Sequence, residues 1–433
     1  MLYYFLKIVV GIFTRIFYNN PLILNRENVP QNTPLIIASN HPNALCDPCS
    51  LAVFSKQRIH FLARGDVFKN KILYSIFVKH LGMVPIYRLM EGAENLHRNE
   101  ETFRNTAEKL RQKKTILMFS EGICIQERRL RKLKKGTARI AFAAEESADW
   151  NLGLKIIPVG LNYNSPAEFR SDLVVCYGKP FSVSIFKDAY LKDKAIAINE
   201  LTRYLEERLS ELVVHIASAD NDQLVTQVEE MLQNETPVNI TKEEKFKLTK
   251  AIAVHINNAG NEILASKGKI NAYYADLNKL NLSDRVIKFF SEKKISLAGS
   301  LLNILFLLLT LPLYIFGFVN NYIPYKSGYV LAKKLAKTIE FHATVHMYSS
   351  LFLYLVFYCL QIISVGLLFR NWYLLGWYML LLPLSGLFTW SYYESVKQLL
   401  SIKFFISLGI TKRDELMRLR REITTALKSN FNL

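Results

Sequence analysis

Three runs without a charged residue, Ile295–Phe318, Tyr348–Phe369 and Trp372–Tyr393, limit what this chain can fold into. As a helix the first would be roughly 36 Å long at 1.5 Å per residue, more than the roughly 30 Å hydrocarbon core of a bilayer. Only Arg370 and Asn371 separate the other two, which predicts a tight helical hairpin. Basic clusters flank these runs. Lys288, Lys293 and Lys294 come before the first, Lys326, Lys333, Lys334 and Lys337 after it, and a basic tail follows the third. The positive-inside rule asks for all three clusters on the cytoplasmic face, which three complete spans cannot satisfy. The expected membrane region over 291–395 is therefore a re-entrant element at 295–322, bending near Pro312, plus a spanning hairpin at 348–393. A basic cytoplasmic tail then occupies 396–433.

The net charge of +18, from 55 Lys and Arg against 37 Asp and Glu, calls for a polyanionic partner. No zinc-finger spacing, RRM-type aromatic motif or recognition-helix pattern is present, so the expected partner is membrane lipid and no nucleic acid. Five cysteines in a chain of 433 residues do not form a disulfide framework. Cys46 and Cys49 make a lone C-x-x-C with no second ligand pair, so no metal site is expected. Residues 1–20 are apolar, interrupted by Lys7 and Arg15, and lack a cleavage site; an interfacial helix fits them better than a signal peptide or a span.

From 21 to 219 short apolar runs alternate with amphipathic stretches. Leu35–Ser39, Ile59–Ala63, Thr115–Phe119, Lys155–Leu161 and Leu173–Tyr177 read as buried strands; Asn99–Lys113, Gly136–Ala148 and Leu201–Ile216 have helical spacing. The predicted fold class is an α/β domain, a buried mixed sheet flanked by helices, followed by a helical insert and C-terminal transmembrane helices. The insert or linker, 220–290, is polar and Asn-rich, with helical stretches at Asp222–Leu232 and Lys242–Asn258.

Asn40-His41 follows the first buried strand at a strand-to-helix junction, and Asp47 lies six residues on. A histidine base needs its second ring nitrogen fixed by an acceptor, and a carboxylate a turn or so away can supply it. Three further blocks follow in order: Gly82-Met83-Val84-Pro85-Ile86-Tyr87-Arg88, then Phe119-Ser120-Glu121-Gly122, then Ile157-Pro158-Val159-Gly160. This order and spacing, over roughly Pro21 to Ser210, resembles the glycerolipid acyltransferase family, which includes the glycerol-3-phosphate and 1-acylglycerol-3-phosphate acyltransferases.

The family pattern has four residues between its His and Asp; here there are five, Pro42 to Cys46, which looks like the fungal-type His-x5-Asp branch. The third block normally reads Phe-Pro-Glu-Gly-Thr-Arg-Ser. Glu121 and Gly122 match it, but Ile123, Cys124 and Ile125 replace the rest, so the usual phosphate-binding Arg is missing. The basic run Arg128, Arg129, Arg131, Lys132, Lys134 and Lys135 comes next, then Gly136 opening a helical pattern. A fork of cations and a helix N-terminus can together neutralise a phosphate monoester.

The resemblance implies that His41 and Asp47 are catalytic and that Arg88, Glu121, Gly122, Arg128, Lys134, Lys135 and Gly136 bind substrate. It also implies an acyl thioester donor, acyl-CoA or acyl-carrier protein, a glycerol phosphate acceptor and no bound cofactor. The expected reaction is O-acyl transfer in phospholipid synthesis by a multi-pass protein whose catalytic domain faces the cytoplasm, on a bacterial inner membrane or the endoplasmic reticulum. Two other readings are an acyltransferase for another lysophospholipid or a glycolipid, and a non-catalytic membrane scaffold. An acyl-cysteine route through Cys46 would lack a dedicated base.

Overall fold

The computed structural model describes residues 1–65, 70, 74–86, 98–236, 240–258, 261–291 and 297–431, and for 64, 98–101, 261–265 and 297–300 the backbone alone. The chain divides into two compact units. Residues 1–215 with 336–344 form one; 216–335 with 345–433 form the other.

The first unit is built on eight strands among the described residues: β1 (Leu22–Leu24), β2 (Leu35–Ser39), β3 (Ile59–Arg64), β4 (Val84–Ile86), β5 (Thr115–Phe119), β6 (Lys155–Tyr163), β7 (Leu173–Tyr177) and β8 (Phe181–Ser182). Their order is β1-β7-β6-β2-β5-β3-β4, with β8 on β6. β2 lies mid-sheet, parallel to β5 and β6, and all five of its residues are buried. β7 and β8 run antiparallel to β6, which makes the sheet mixed.

The five apolar runs are strands because a central strand buries both faces, and Val, Ile and Leu supply that burial. Its helices are α1 (Leu2–Phe17), α2 (Cys46–Phe54), α3 (Arg98–Arg111), α4 (Gly136–Glu146), α5 (Lys187–Lys192) and α6 (Lys194–Ser210). On one face, Ile36, Ala38, Ile116, Met118 and Ile156 pack with Leu110 of α3, Ile140 of α4 and Leu201 and Leu205 of α6.

α1 packs on α2. Lys7 Nζ donates to the Ser55 carbonyl at 2.6 Å, and the exposed Arg15 has its guanidinium 5.3 Å from the Phe54 ring centroid. Tyr4, Phe5, Ile8 and Ile12 are also exposed.

The second unit contains α7 (Asp222–Glu235), α8 (Lys242–Asn258), α9 (Asn261–Leu280), α10 (Asp284–Ser291), α11 (Leu297–Leu335), α12 (Ile339–Phe369), α13 (Trp372–Ser407) and α14 (Ile410–Phe431); the first turns of α12 belong to the first unit. Among the described residues α11, α12 and α13 are long and apolar enough to cross a membrane.

The charge argument predicts a reversal near Pro312. Instead α11 is one helix with Pro312 and Pro324 inside it. Its contacts nonetheless approach and then leave the α12–α13 turn. Leu307 and Tyr314 meet Tyr392, far along α13. Asn321 meets Leu382 and Tyr358, nearer the turn on either arm, and Tyr329 meets His346, far back on α12. The closest approach is at Asn320 and Asn321, where Tyr378 and Tyr358 donate to the two amide oxygens at 2.8 and 2.6 Å. A helix keeps its backbone groups paired where a loop in lipid would not, so the element stays helical throughout.

The sequence reading also separates a helical insert or linker, 220–290, from a basic cytoplasmic tail, 396–433. The structure joins them: α14 packs on α7, α9 and α10. Leu416, Arg420, Ile423 and Leu427 form one buried stripe at helical spacing, so the tail is a packed amphipathic helix. Arg420 grips Asp284 through two bonds of 2.8 and 3.0 Å and Glu235 at 2.8 Å.

Candidate active site

The carboxyl ends of β2 and β5 carry the site, where open α/β sheets place ligands. Beyond β2, Asn40 locks onto β6: its amide donates to the Leu161 carbonyl at 2.9 Å and accepts from the Leu161 N–H at 2.8 Å. This pins the next residue, His41, at the end of a fully buried strand.

His41 Nδ1 lies 2.8 Å from Asp47 Oδ2. Asp47 is in the first turn of α2 with its side chain 0% exposed. Oδ2 also accepts from the Asn43 N–H at 2.7 Å, and Oδ1 accepts from the Tyr163 hydroxyl at 2.8 Å. Asn43 donates in turn to Tyr18, whose hydroxyl donates to the Pro166 carbonyl. Burial, then the Asp47 charge, pushes the Tyr163 phenol well above its ordinary range, so it stays a donor.

The imidazole stacks on Phe119, the last residue of β5, with centroids 3.8 Å apart and planes 10° from parallel. Its side chain remains 15% exposed. With Nδ1 committed to Asp47, Nε2 is the nitrogen free to take a proton.

In the turn between His41 and Asp47, Ala44 has a φ of 26°, on the left-handed side that a Cβ disfavours. The turn is held from outside: the Ala44 N–H donates to Cys124 Sγ at 3.0 Å and the Leu45 N–H to Thr344 Oγ1 at 3.2 Å. No local signal pointed to Tyr18, Tyr163, Cys124 or Thr344, because each reaches the His41 loop from a distant part of the chain. Asn40 and Asn43 were visible as neighbours of His41 without a role.

Glu121 joins two segments of the site. The sequence places it among substrate ligands, yet its oxygens accept from backbone: Oε2 from the His41 N–H at 2.7 Å and Oε1 from the Arg131 N–H at 2.8 Å. Burial raises its carboxyl pKa, and these two N–H groups oppose the rise. Through these bonds it ties the β2 loop to the basic loop.

Gly122 has φ +71°, and a Cβ there would come 3.0 Å from Lys134 Cγ. The Lys134 N–H donates to the Ser120 carbonyl at 2.8 Å, and Ser120 Oγ meets Thr137 Oγ1 in the first turn of α4 at 3.0 Å. Lys134, Lys135 and Gly136, the first residue of α4, therefore gather beside Glu121. Both lysines are exposed and make no ion pair among the described residues.

Arg129 and Arg131 instead pair with Glu127 at 2.7 and 2.8 Å, so part of the basic run is neutralised internally. Arg128 is half-buried. The loop backbone is fastened by Glu206 to the Leu133 N–H and by His215 to the Leu130 N–H. Arg88 lies outside the described residues.

Residues 22–162 match the family model described as Acyltransferase. Glycerol-3-phosphate O-acyltransferase 1 of Saccharomyces cerevisiae is 23% identical over 242 residues, which is 54% of this chain and 31% of that protein. The chain thus spans about a third of the length of that relative. The crystal structure of the 1-acyl-sn-glycerophosphate acyltransferase PlsC from Thermotoga maritima aligns with a TM-score of 0.34 at 19% identity, covering 48% of this chain and 78% of that one. Residues 22–162, the stretch that matches the Acyltransferase model, carry the ordered blocks and the His41–Asp47 pair.

Proposed function

We propose that this protein transfers a fatty acyl group from an acyl thioester, acyl-CoA or acyl-carrier protein, to a hydroxyl of glycerol-3-phosphate or 1-acylglycerol-3-phosphate. The observation that carries the reading is the 2.8 Å contact between His41 Nδ1 and the fully buried Asp47. Nε2 of His41 takes the acceptor's hydroxyl proton as its oxygen attacks the thioester carbonyl. Asp47 stabilises the imidazolium, which returns the proton to the departing thiolate as the tetrahedral adduct collapses to ester. The acceptor phosphate is met by Lys134, Lys135 and Arg128, with the α4 N-terminus at Gly136 adding a partial positive charge. The name of the yeast relative supports the glycerol phosphate acceptor.

The same reading puts α11–α13 in a bilayer, with α1 lying on its surface through Tyr4, Phe5, Ile8 and Ile12 and the catalytic domain facing the cytoplasm. The solvent-exposed Trp372 and Tyr373, beside Arg370, are the residues favoured at a membrane–water interface.

The experiment offers acyl-CoA and acyl-carrier protein thioesters with glycerol-3-phosphate, its 1-acyl form, dihydroxyacetone phosphate or another lysophospholipid. His41→Ala should abolish transfer. Asp47→Asn should lower kcat by about a thousandfold or more, because an amide neither sets the tautomer nor balances the imidazolium. Undiminished turnover in His41→Ala would end the proposal.

A further inference from the structure

At the opposite end of the sheet from His41 lies a cavity of about 480 Å³ with a different chemistry. Leu35, Thr115 and Ile59, register partners at the starts of β2, β5 and β3, mark that end. Five residues at roughly 3.3 Å each put it about 17 Å from the β2 carboxyl end. Because β2 is buried throughout, the two places are separated by sheet.

Six basic side chains line the cavity: Lys56, Arg58, Lys79, Lys109, Lys113 and Lys114. Among the described residues that line it none is an Asp or a Glu, and Val78 is the one aliphatic side chain. An acyl chain would find little apolar surface there.

Two nitrogens are buried without a hydrogen-bond partner among the described residues, the donor Nε of Arg58 and Nδ1 of His60, whose role depends on the tautomer. The His60 ring is held in place by Gly82, whose φ of +74° and missing Cβ let its backbone approach; a Cβ would come 2.9 Å from the ring. His60 is only 5% exposed. Burial, then the positive charges of Lys109, Arg58 and Lys114, lowers its pKa to about 4. Lys109 is lowered by burial and by the same two cationic neighbours. Like charges held together at a half-buried site repel one another unless an anion sits among them. A single carboxylate or chloride would leave most of this charge unbalanced, whereas clustered phosphates would match it. Arg58 supplies planar donors and the lysines supply mobile point charges.

We propose that this cavity is a second, non-catalytic site for a ligand carrying two or more phosphate groups. The ligand is either a soluble polyphosphate or the phosphorylated headgroup of a lipid. Neither source depends on the acyl-transfer reading. A lipid source is sterically reasonable because Tyr3 of α1 lies against Arg58, 5.2 Å from ring centroid to guanidinium, and the exposed apolar face of α1 begins at the next residues.

The test uses the full chain in neutral detergent, titrated calorimetrically with inorganic pyrophosphate. A second series uses a short-chain phosphatidylinositol bisphosphate in the same micelles. The double variant K109Q/K114Q should bind about a hundredfold more weakly, at about tenfold for each charge-assisted hydrogen bond removed. Its melting temperature without ligand should not fall, since two repelling charges are gone, and its basal acyl transfer should match the wild type. Saturable pyrophosphate binding that disappears in this variant assigns a soluble ligand; binding of the lipid alone, abolished in the same variant, assigns a headgroup. Unchanged binding of both probes in K109Q/K114Q overturns the site, as does loss of all binding in K134Q/K135Q alone, which would put the phosphate beside His41.

Discussion

The backbone N–H of His41 donates to Oε2 of Glu121 at 2.7 Å, so the acidic residue of the third block holds the residue at the centre of the first. The other oxygen takes the Arg131 N–H at 2.8 Å, and the buried carboxylate thereby fixes the distance between the proposed base and the cationic loop. Substrate geometry at such a site depends on parts that never touch substrate.

Replacing Glu121 by Gln removes one acceptor and turns an NH2 group toward a backbone N–H. Hydrogen bonds to a charged group contribute about 1.5–3 kcal/mol, so kcat should fall about tenfold to a hundredfold. The KM for the acceptor should change less, since Glu121 acts through His41 and Arg131. Steady-state kinetics decide between roles: a large rise in acceptor KM at constant kcat would make Glu121 a substrate ligand.

Cys46 and Cys124 sit beside the site, but burial pushes both thiols up to about 12. Their folded-state values lie above the ordinary value of 9.0, so both thiols stay protonated from neutral pH up to about 12. With the thiolate the attacking form, no acyl-cysteine is expected. Cys46→Ser should keep turnover within about twofold, since only a weak sulfur hydrogen bond changes. Intact-protein mass spectrometry after mixing with acyl-CoA should show no acylated enzyme; an adduct that disappears in Cys46→Ser would establish the covalent route.

Arg420 and Asp284 have side chains 4% and 0% exposed. Tyr273 and Asn234 also donate to Asp284, each at 2.8 Å. Arg420→Ala strands a buried carboxylate and should cost about 3–5 kcal/mol in denaturant unfolding of the second unit. Combining Arg420→Met with Asp284→Asn should cost less than the sum of the two single changes, because neither charge is then left alone. Strict additivity would mean that the pair is not coupled.

In a bilayer, the contacts of α11 with both arms of the α12–α13 hairpin predict that its C-terminal end shares a face with α14. Single cysteines at Lys333 and Arg418, in a background without native cysteines, should react with a membrane-impermeant maleimide from the same side. A cysteine at Tyr373, beside the hairpin turn, should react from the other. Labelling of positions 333 and 418 from opposite faces would mean that α12 and α13 do not both span as a hairpin.

The sequence is most legible where structure is local. Runs such as Leu35–Ser39 and Lys155–Leu161 announce buried strands because both faces must be apolar, and they appear as β2 and β6. β1, β4 and β8 have two or three residues each and are too short to carry a pattern. α14 was obscured by its basic composition, although its Leu416–Arg420–Ile423–Leu427 spacing was present.

The sequence by itself determined the α/β class of the first unit, the three long apolar runs and the His41–Asp47 pairing, whose partners are six residues apart. Only the tertiary structure decided that Tyr163 and Asn43 complete the shell around Asp47, that Cys124 and Thr344 brace the five-residue turn, and that Glu121 is a clamp. The reason is the range of the interactions. A strand or helix follows from the residues within one run, whereas each of these contacts depends on where the backbone brings distant segments together, and no spacing along the chain encodes that.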